Sequence, residues 1–272
     1  PPDRKGRTLL HELYTDDRKT ASDVDFVALA RRMPGLTGAD IANLVNQAAL
    51  ETARAGREEL CTDDFAEALA TVMMGRARHS ATVTERDREI TAWHEAGHAV
   101  VALVVPDAHD PVQVTIVPRG SAGGVTWMGG DDASFLTGTE ARARLAVSLA
   151  GRAAEEILLD GDFTQGASSD IASATALAQR MVAEWGMSNL GLAAVGPEHA
   201  GSGLLERVHG EADVLLTDAL GRARAVLAAH RPFLETVVAD LLADETIDLD
   251  RMRALLTAVE GTPALPPALV EG

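Results

Sequence analysis

Cysteine is almost missing from this chain: Cys61 stands alone among 272 residues. A single thiol excludes an internal disulfide framework and fits a reducing, cytoplasmic setting. Aromatics are scarce as well, at 3%, so the core must be built from Ala, Leu, Val and Ile, a palette that favours helices over a β-sandwich. Basic residues are in deficit, 24 Lys+Arg against 41 Asp+Glu for a net charge of −17. That deficit argues against a duplex nucleic-acid binder, which needs a basic footprint, and against docking on an anionic membrane surface. No run approaches the roughly 18 apolar residues of a membrane-spanning helix; the most apolar stretch, 99–106, is far shorter. No secretory signal opens the chain, which starts Pro1-Pro2-Asp3 without Met, as a fragment or processed product would. There is no Gly-x-x-x-x-Gly-Lys-Ser/Thr loop, so nothing here cradles nucleotide phosphates.

What is present is enough apolar content, 46%, for packed cores. The charge is uneven. Residues 1–78 carry 11 basic and 13 acidic side chains, net −2, and residues 79–272 carry 13 and 28, net −15. The asymmetry points to two parts with different tasks: a small helical domain over 1–78 and a larger one over 79–260. A Pro-rich tail over 261–272 is expected to be disordered.

Helical periodicity places four helices in the first part. One covers 7–14. The next covers 24–33, capped by Asp23 and stopped by Pro34-Gly35. Thr37 caps a helix over 38–56, and Thr62 caps one running to about Gly75. After a linker over 76–83, Thr82 and Glu85 have capping-box spacing. They introduce a helix to about Val104, which Pro106 stops, with Ile90, Trp93, Gly97, Val100 and Val104 as its buried stripe. The β-branched alternation of 112–117 predicts a strand, and 125–128 a returning one. Helices follow over 139–159, 169–185, 204–229, 232–243 and 248–259, with a Gly-rich loop at 187–203. The fold class is mainly α with a short β-hairpin or small sheet.

The chemistry sits in His94-Glu95-Ala96-Gly97-His98. On a helix, residues four apart share a face, so both imidazoles can reach one metal ion. Glu95 lies about 100° round the helix from His94 and can serve as general base to a water held there. This is the zinc-peptidase arrangement, which needs one more protein ligand. Gly97 lets another element approach closely. The bland alternative is a helix with two satisfied histidines and an exposed Glu. For the third ligand the residues offer Asp170, Glu155 and Glu156. Asp170 is favoured slightly because small residues precede it, although an acid in a first helical turn also simply opposes the macrodipole.

An ordered set of motifs then becomes specific. His94 to His98, Val114-Thr115-Ile116-Val117-Pro118-Arg119-Gly120, Gly151-Arg152-Ala153-Ala154-Glu155-Glu156, Gly166-Ala167-Ser168-Ser169-Asp170-Ile171 and Glu245-Thr246-Ile247-Asp248 occur in that order. Together they resemble the peptidase domain of the FtsH family, the membrane-anchored AAA+ zinc proteases. Residues 1–78 resemble the helical lid of that family's ATPase module, through Pro34-Gly35-Leu36-Thr37-Gly38-Ala39-Asp40, residues 43–50 and Met73-Met74-Gly75.

The resemblance implies that His94, His98 and Asp170 bind one zinc ion and that Glu95 is the catalytic base. Glu155 and Glu156 would orient the ligands from behind. Gly124, Val125 and Thr126 would present a strand edge to an extended substrate, where main-chain bonds suit many sequences; a plain structural hairpin is the alternative. Gly38 and Ala39 resemble a segment that packs near nucleotide, with a simple helix N-cap as the alternative. ATP would act only through an ATPase core absent from this sequence. The resemblance further implies unfolded or membrane-derived protein substrates, a homohexamer, no nucleic-acid partner, and a place at the cytoplasmic face of the inner membrane through segments absent here. The expected activity is a zinc endopeptidase. The competing expectation is a non-catalytic assembly or binding module, motivated by the missing ATPase core.

Overall fold

The computed structural model describes residues 1–77, 83–120, 122–130, 135–192 and 202–261. Residues 262–272 of the expected tail over 261–272, Thr82 and most of the Gly-rich loop lie outside the described residues. The chain separates into two compact units, Pro1–Thr82 with Val117–Ser134, and Val83–Ile116 with Phe135–Gly272. The architecture is mainly helical, with three short strands: β1 (Pro111–Thr115), β2 (Val125–Met128) and β3 (Thr246–Asp248).

The first unit holds α1 (Arg4–Thr15), α2 (Phe26–Arg31), α3 (Gly38–Arg54), α4 (Thr62–Met74) and β2. Each helix start has a local cause. The Asp3 carboxylate accepts from Gly6 N–H at 2.7 Å, and Thr37 with Asp40 forms a full capping box on α3. Two caps differ from the sequence expectation. Asp25, not Asp23, caps α2, accepting from Val27 and Ala28 N–H. Asp23 is drawn away because its carbonyl accepts the Thr62 hydroxyl at 2.7 Å and its carboxylate accepts Thr62 N–H. Thr62 is therefore the first residue of α4, and Cys61 occupies the cap position, its N–H donating to Asp64 at 3.0 Å.

Ile41, Leu44, Val45 and Ala48 form the buried stripe of α3, which packs against α4, where Phe65 and Leu69 are buried. Arg7 is buried, and its guanidinium donates twice to the Ala30 carbonyl and once to that of Pro2. A charge taken from water at this depth persists only with such partners. Segment 117–134 joins this unit through Arg119, which donates to the Gly75 carbonyl at 3.2 Å and pairs with Glu67 at 3.3 Å. Chain order alone, with a boundary at 78, does not reveal that attachment.

The second unit is built on α5 (Glu85–Val104) and α6 (Gly138–Leu158). It also holds α7 (Ser168–Ala183), α8 (Ser202–Ala229), α9 (Arg231–Asp244) and α10 (Leu249–Glu260). Thr84, with Asp87, caps α5 in place of the expected Thr82 and Glu85. The helix ends at Val105, just before Pro106, as expected. The expected stripe understates the burial of α5: every residue from His94 to Ala102 is buried, while Trp93 and Val104 are only half-buried. The cause is tertiary, because α6, α8, α9 and β1 all pack against this one helix.

Close approach of α5 and α6 depends on small side chains. A Cβ on Gly97 would sit 2.6 Å from the Ala150 carbonyl oxygen and 2.6 Å from Ala154 Cβ, and Ala146, Ala153 and Ala154 are fully buried. A further core joins Leu145 and Leu149 to Ala174, Met181 and Val182 of α7 and Ala212 of α8. β1 pairs antiparallel with β3, placing Val114 opposite Ile247. β3 is a three-residue strand that helical periodicity does not reveal. Among the described residues, no helix is long and apolar enough to cross a membrane.

Candidate metal centre

His94 and His98 lie one helical turn apart near the middle of α5, both buried. Their outer ring nitrogens are fixed first. His94 Nδ1 lies 2.8 Å from Glu155 Oε1, and His98 Nδ1 lies 2.7 Å from the Val147 carbonyl oxygen. A carboxylate and a carbonyl only accept, so both Nδ1 atoms carry protons and donate. That leaves each Nε2 with its lone pair facing inward. The two Nε2 atoms are 3.1 Å apart. Asp170 Oδ2 lies 3.2 Å from one and 3.6 Å from the other.

Three electron-rich atoms thus face one another, and nothing in their own chemistry holds them there. A cation between them turns the repulsion into binding. One such cation is a proton: burial opposes charging His94, but hydrogen bonds to Asp170 and Glu155 and the charge of Glu95 outweigh it and push its pKa up to about 10. Burial likewise opposes ionisation of Asp170, and the two histidines overcome it and hold the carboxyl well below the usual range. The other such cation is a metal. Tetrahedral zinc with bonds of about 2.0–2.2 Å separates its ligand atoms by roughly 3.3–3.6 Å; the observed 3.6 Å lies in that range and the observed 3.1 and 3.2 Å fall just short of it. Two imidazoles and one carboxylate form a donor set suited to zinc with a position left open. Among the described residues, His94, His98 and Asp170 form the group able to hold a metal ion.

The support behind the site separates the two neighbouring glutamates. Glu155 is buried, accepting from His94 through one oxygen and from Thr164 N–H at 2.7 Å through the other. Burial raises its pKa, and the bonds from His94 and Thr164 more than reverse this. Thr164 in turn caps a short 3-10 turn at Gln165–Ala167 that leads into α7, where Asp170 occupies the first turn. Glu156, rotated about 100° round α6, pairs instead with Arg224 at 2.7 Å and Arg152 at 3.1 Å. Glu95 follows His94 on α5 and is buried.

The other expected residues belong to the first unit. Gly124 is buried, Val125 and Thr126 are half-buried, and the latter two lie on β2. Gly38 and Ala39 open α3, and a Cβ on Gly38 would touch Leu10 and the Tyr14 hydroxyl at 3.7 Å. Sequence reading missed Val147 and Thr164. Val147 contributes only a carbonyl, which no side-chain pattern announces. Thr164 has a recognisable N-cap type, but only the fold reveals that it grips Glu155.

Comparison with known proteins finds relatives over most of the chain. The family model for peptidase family M41 matches residues 81–255, and that for an AAA+ lid domain matches residues 23–67. An ATP-dependent zinc metalloprotease FtsH of Rubrobacter xylanophilus is 39% identical over 94% of this chain and 42% of its own length. The ATP-dependent zinc metalloprotease FTSH 11 of Arabidopsis thaliana, chloroplastic/mitochondrial, is 41% identical over 96% of this chain and 33% of its own. An FtsH of Thermus thermophilus is 38% identical over 98% and 44%. The chain therefore spans less than half the length of these curated relatives.

Proposed function

Because the chain belongs to peptidase family M41, we propose that it is the proteolytic part of an FtsH-like ATP-dependent protease, a zinc endopeptidase with His94, His98 and Asp170 as ligands. The single observation that carries this reading is the inward convergence of two Nε2 lone pairs and a carboxylate at a spacing that suits zinc. Zinc, when bound, supplies a Lewis acid that makes water a nucleophile near neutral pH and polarises the peptide carbonyl. Glu95 takes the proton from the attacking water and returns it to the departing amine. Glu155 and Val147 hold the imidazoles by Nδ1, so that each Nε2 is turned toward the metal position. Glu156 has a different task, tying α6 to α8 through Arg224.

In this reading residues 1–78 act as the ATPase lid and 79–260 as the peptidase domain. Gly124, Val125 and Thr126 offer main-chain groups to an extended substrate, and Gly38 and Ala39 border a nucleotide held by an ATPase core outside this sequence. The substrates are unfolded or membrane-derived polypeptides. The assembly is a homohexamer at the cytoplasmic face of a membrane, reached through segments outside this sequence.

The test is Glu95→Gln. Cleavage of an unfolded protein is expected to fall by about 10²–10⁴-fold, while zinc stays bound at one ion per chain. Equal cleavage by the variant would rule out Glu95 as the base. A wild-type protein that binds zinc and cleaves neither unfolded chains nor short peptides would sink the endopeptidase reading.

A further inference from the structure

We propose that Gly151 is a positioning residue for the metal centre, the floor on which both ligand imidazoles lie; this rests on the metal reading above. A Cβ built on Gly151 would lie 2.5 Å from His94 Nε2, 2.5 Å from His98 Nε2 and 2.6 Å from His94 Cε1. These Nε2 atoms are the ones that converge with Asp170. Val147, Gly151 and Glu155 are spaced four residues apart on α6, so they form one stripe on one face. The outer two hold the Nδ1 atoms of His98 and His94, and the middle one leaves the room their Nε2 atoms need.

Neither partner can yield cheaply. Turning either ring breaks its hydrogen bond to α6 itself. Moving α6 outward opens the contact at Gly97, where the two helices already touch backbone to backbone. Glycine in a helix interior is otherwise unfavourable relative to alanine, so Gly151 is explained by what it leaves empty.

The test is Gly151→Ala in the full chain, read in two ways. Competition with a chromophoric chelator measures Zn2+ affinity, which is expected to fall by about 100-fold or more, at or beyond the upper end of effects from groups behind the ligands. The unfolding midpoint of metal-free protein is the second readout. Gly151→Ala is expected to lower it in the wild-type background. In a His94→Ala/His98→Ala background, where the clash is gone, it is expected to raise it. Wild-type zinc affinity in Gly151→Ala, or an equal loss of stability in both backgrounds, overturns the proposal. If Gly151→Ala alone fails to fold, recovery of folding in the His94→Ala/His98→Ala background supports the proposal and continued failure refutes it. A wild-type chain that takes up no zinc would defeat the metal reading but leave the metal-free stability comparison intact.

Discussion

The two units each bury a histidine, and the two imidazoles are in opposite states. His11, in the first unit, is fully buried and stacks on Phe26 at 5.8 Å, with Phe65 edge-on. Its Nε2 faces Met33 Sδ at 3.2 Å, and its Nδ1 has no hydrogen-bond partner among the described residues. Burial, and then the charge of Arg7, lower its pKa to about 4. His94, in the second unit, is also buried, yet two carboxylates reach its two nitrogens and its pKa rises to about 10. Burial alone does not set the charge of a histidine; the neighbours decide it. A buried imidazole surrounded by rings and a guanidinium repels a cation, whereas one between carboxylates collects one.

The largest expected effect tests that contrast through metal content. His94→Ala should take bound zinc from one ion per chain to none after dialysis, measured by elemental analysis. His11→Phe should leave zinc unchanged, since the first unit supplies no ligand in this reading. Equal zinc loss in both variants, or none in His94→Ala, would erase the distinction between the two sites.

The next effect concerns acid stability and belongs to His11. Its folded pKa of about 4 lies below the unfolded value of 6.5, so the unfolded chain takes up the proton first as pH falls. The stability tied to neutral His11 is whole above pH 6.5 and is lost between 6.5 and 4. The loss is about 1.4 kcal/mol per pH unit, or about 3 kcal/mol at the lower limit. Denaturant unfolding at pH 6.5 and 5.0, followed by hydrogen exchange in α1 and α2, should show a loss of about 2 kcal/mol. His11→Phe, which keeps the aromatic stack and removes the titration, should flatten that slope. An identical slope in both proteins would show that His11 is not the titrating group.

The same two histidines show what could be read from sequence. His94 was legible because its partner lies one helical turn away, and local spacing survives any tertiary arrangement. Asp170 was legible only as one of three carboxylates, being 76 residues from His94, and nothing local distinguishes a ligand from a helix-capping acid. His11 was invisible, since its rings come from α2 and α4. The shifts in helix start have the same origin. Asp23 and Asp25 are equally good caps by type, and Thr62, far along the chain, decides between them. The full burial of α5 was hidden too, because a stripe records one neighbour and this helix has four.

The smallest contrast is between adjacent residues on one helix. Glu155 and Glu156 have the same side chain, but the helical twist sends one to His94 and the other to Arg224 and Arg152. Glu155→Gln keeps an acceptor but removes the charge that polarises His94, so zinc affinity should fall by about 10–100-fold. Glu156→Gln should leave zinc affinity unchanged. Burial opposes the Glu156 charge, but the Arg224 bond is the larger influence and holds its pKa below the ordinary value. Arg224 is half exposed, so water screens the pair, and the stability cost should stay within about 1 kcal/mol. Chelator competition and denaturant unfolding on the two single variants separate these effects. If Glu156→Gln weakened zinc as much as Glu155→Gln, orientation of the ligands would have to pass through the α6–α8 ion pair as well, and the division of labour between the two carboxylates would fail.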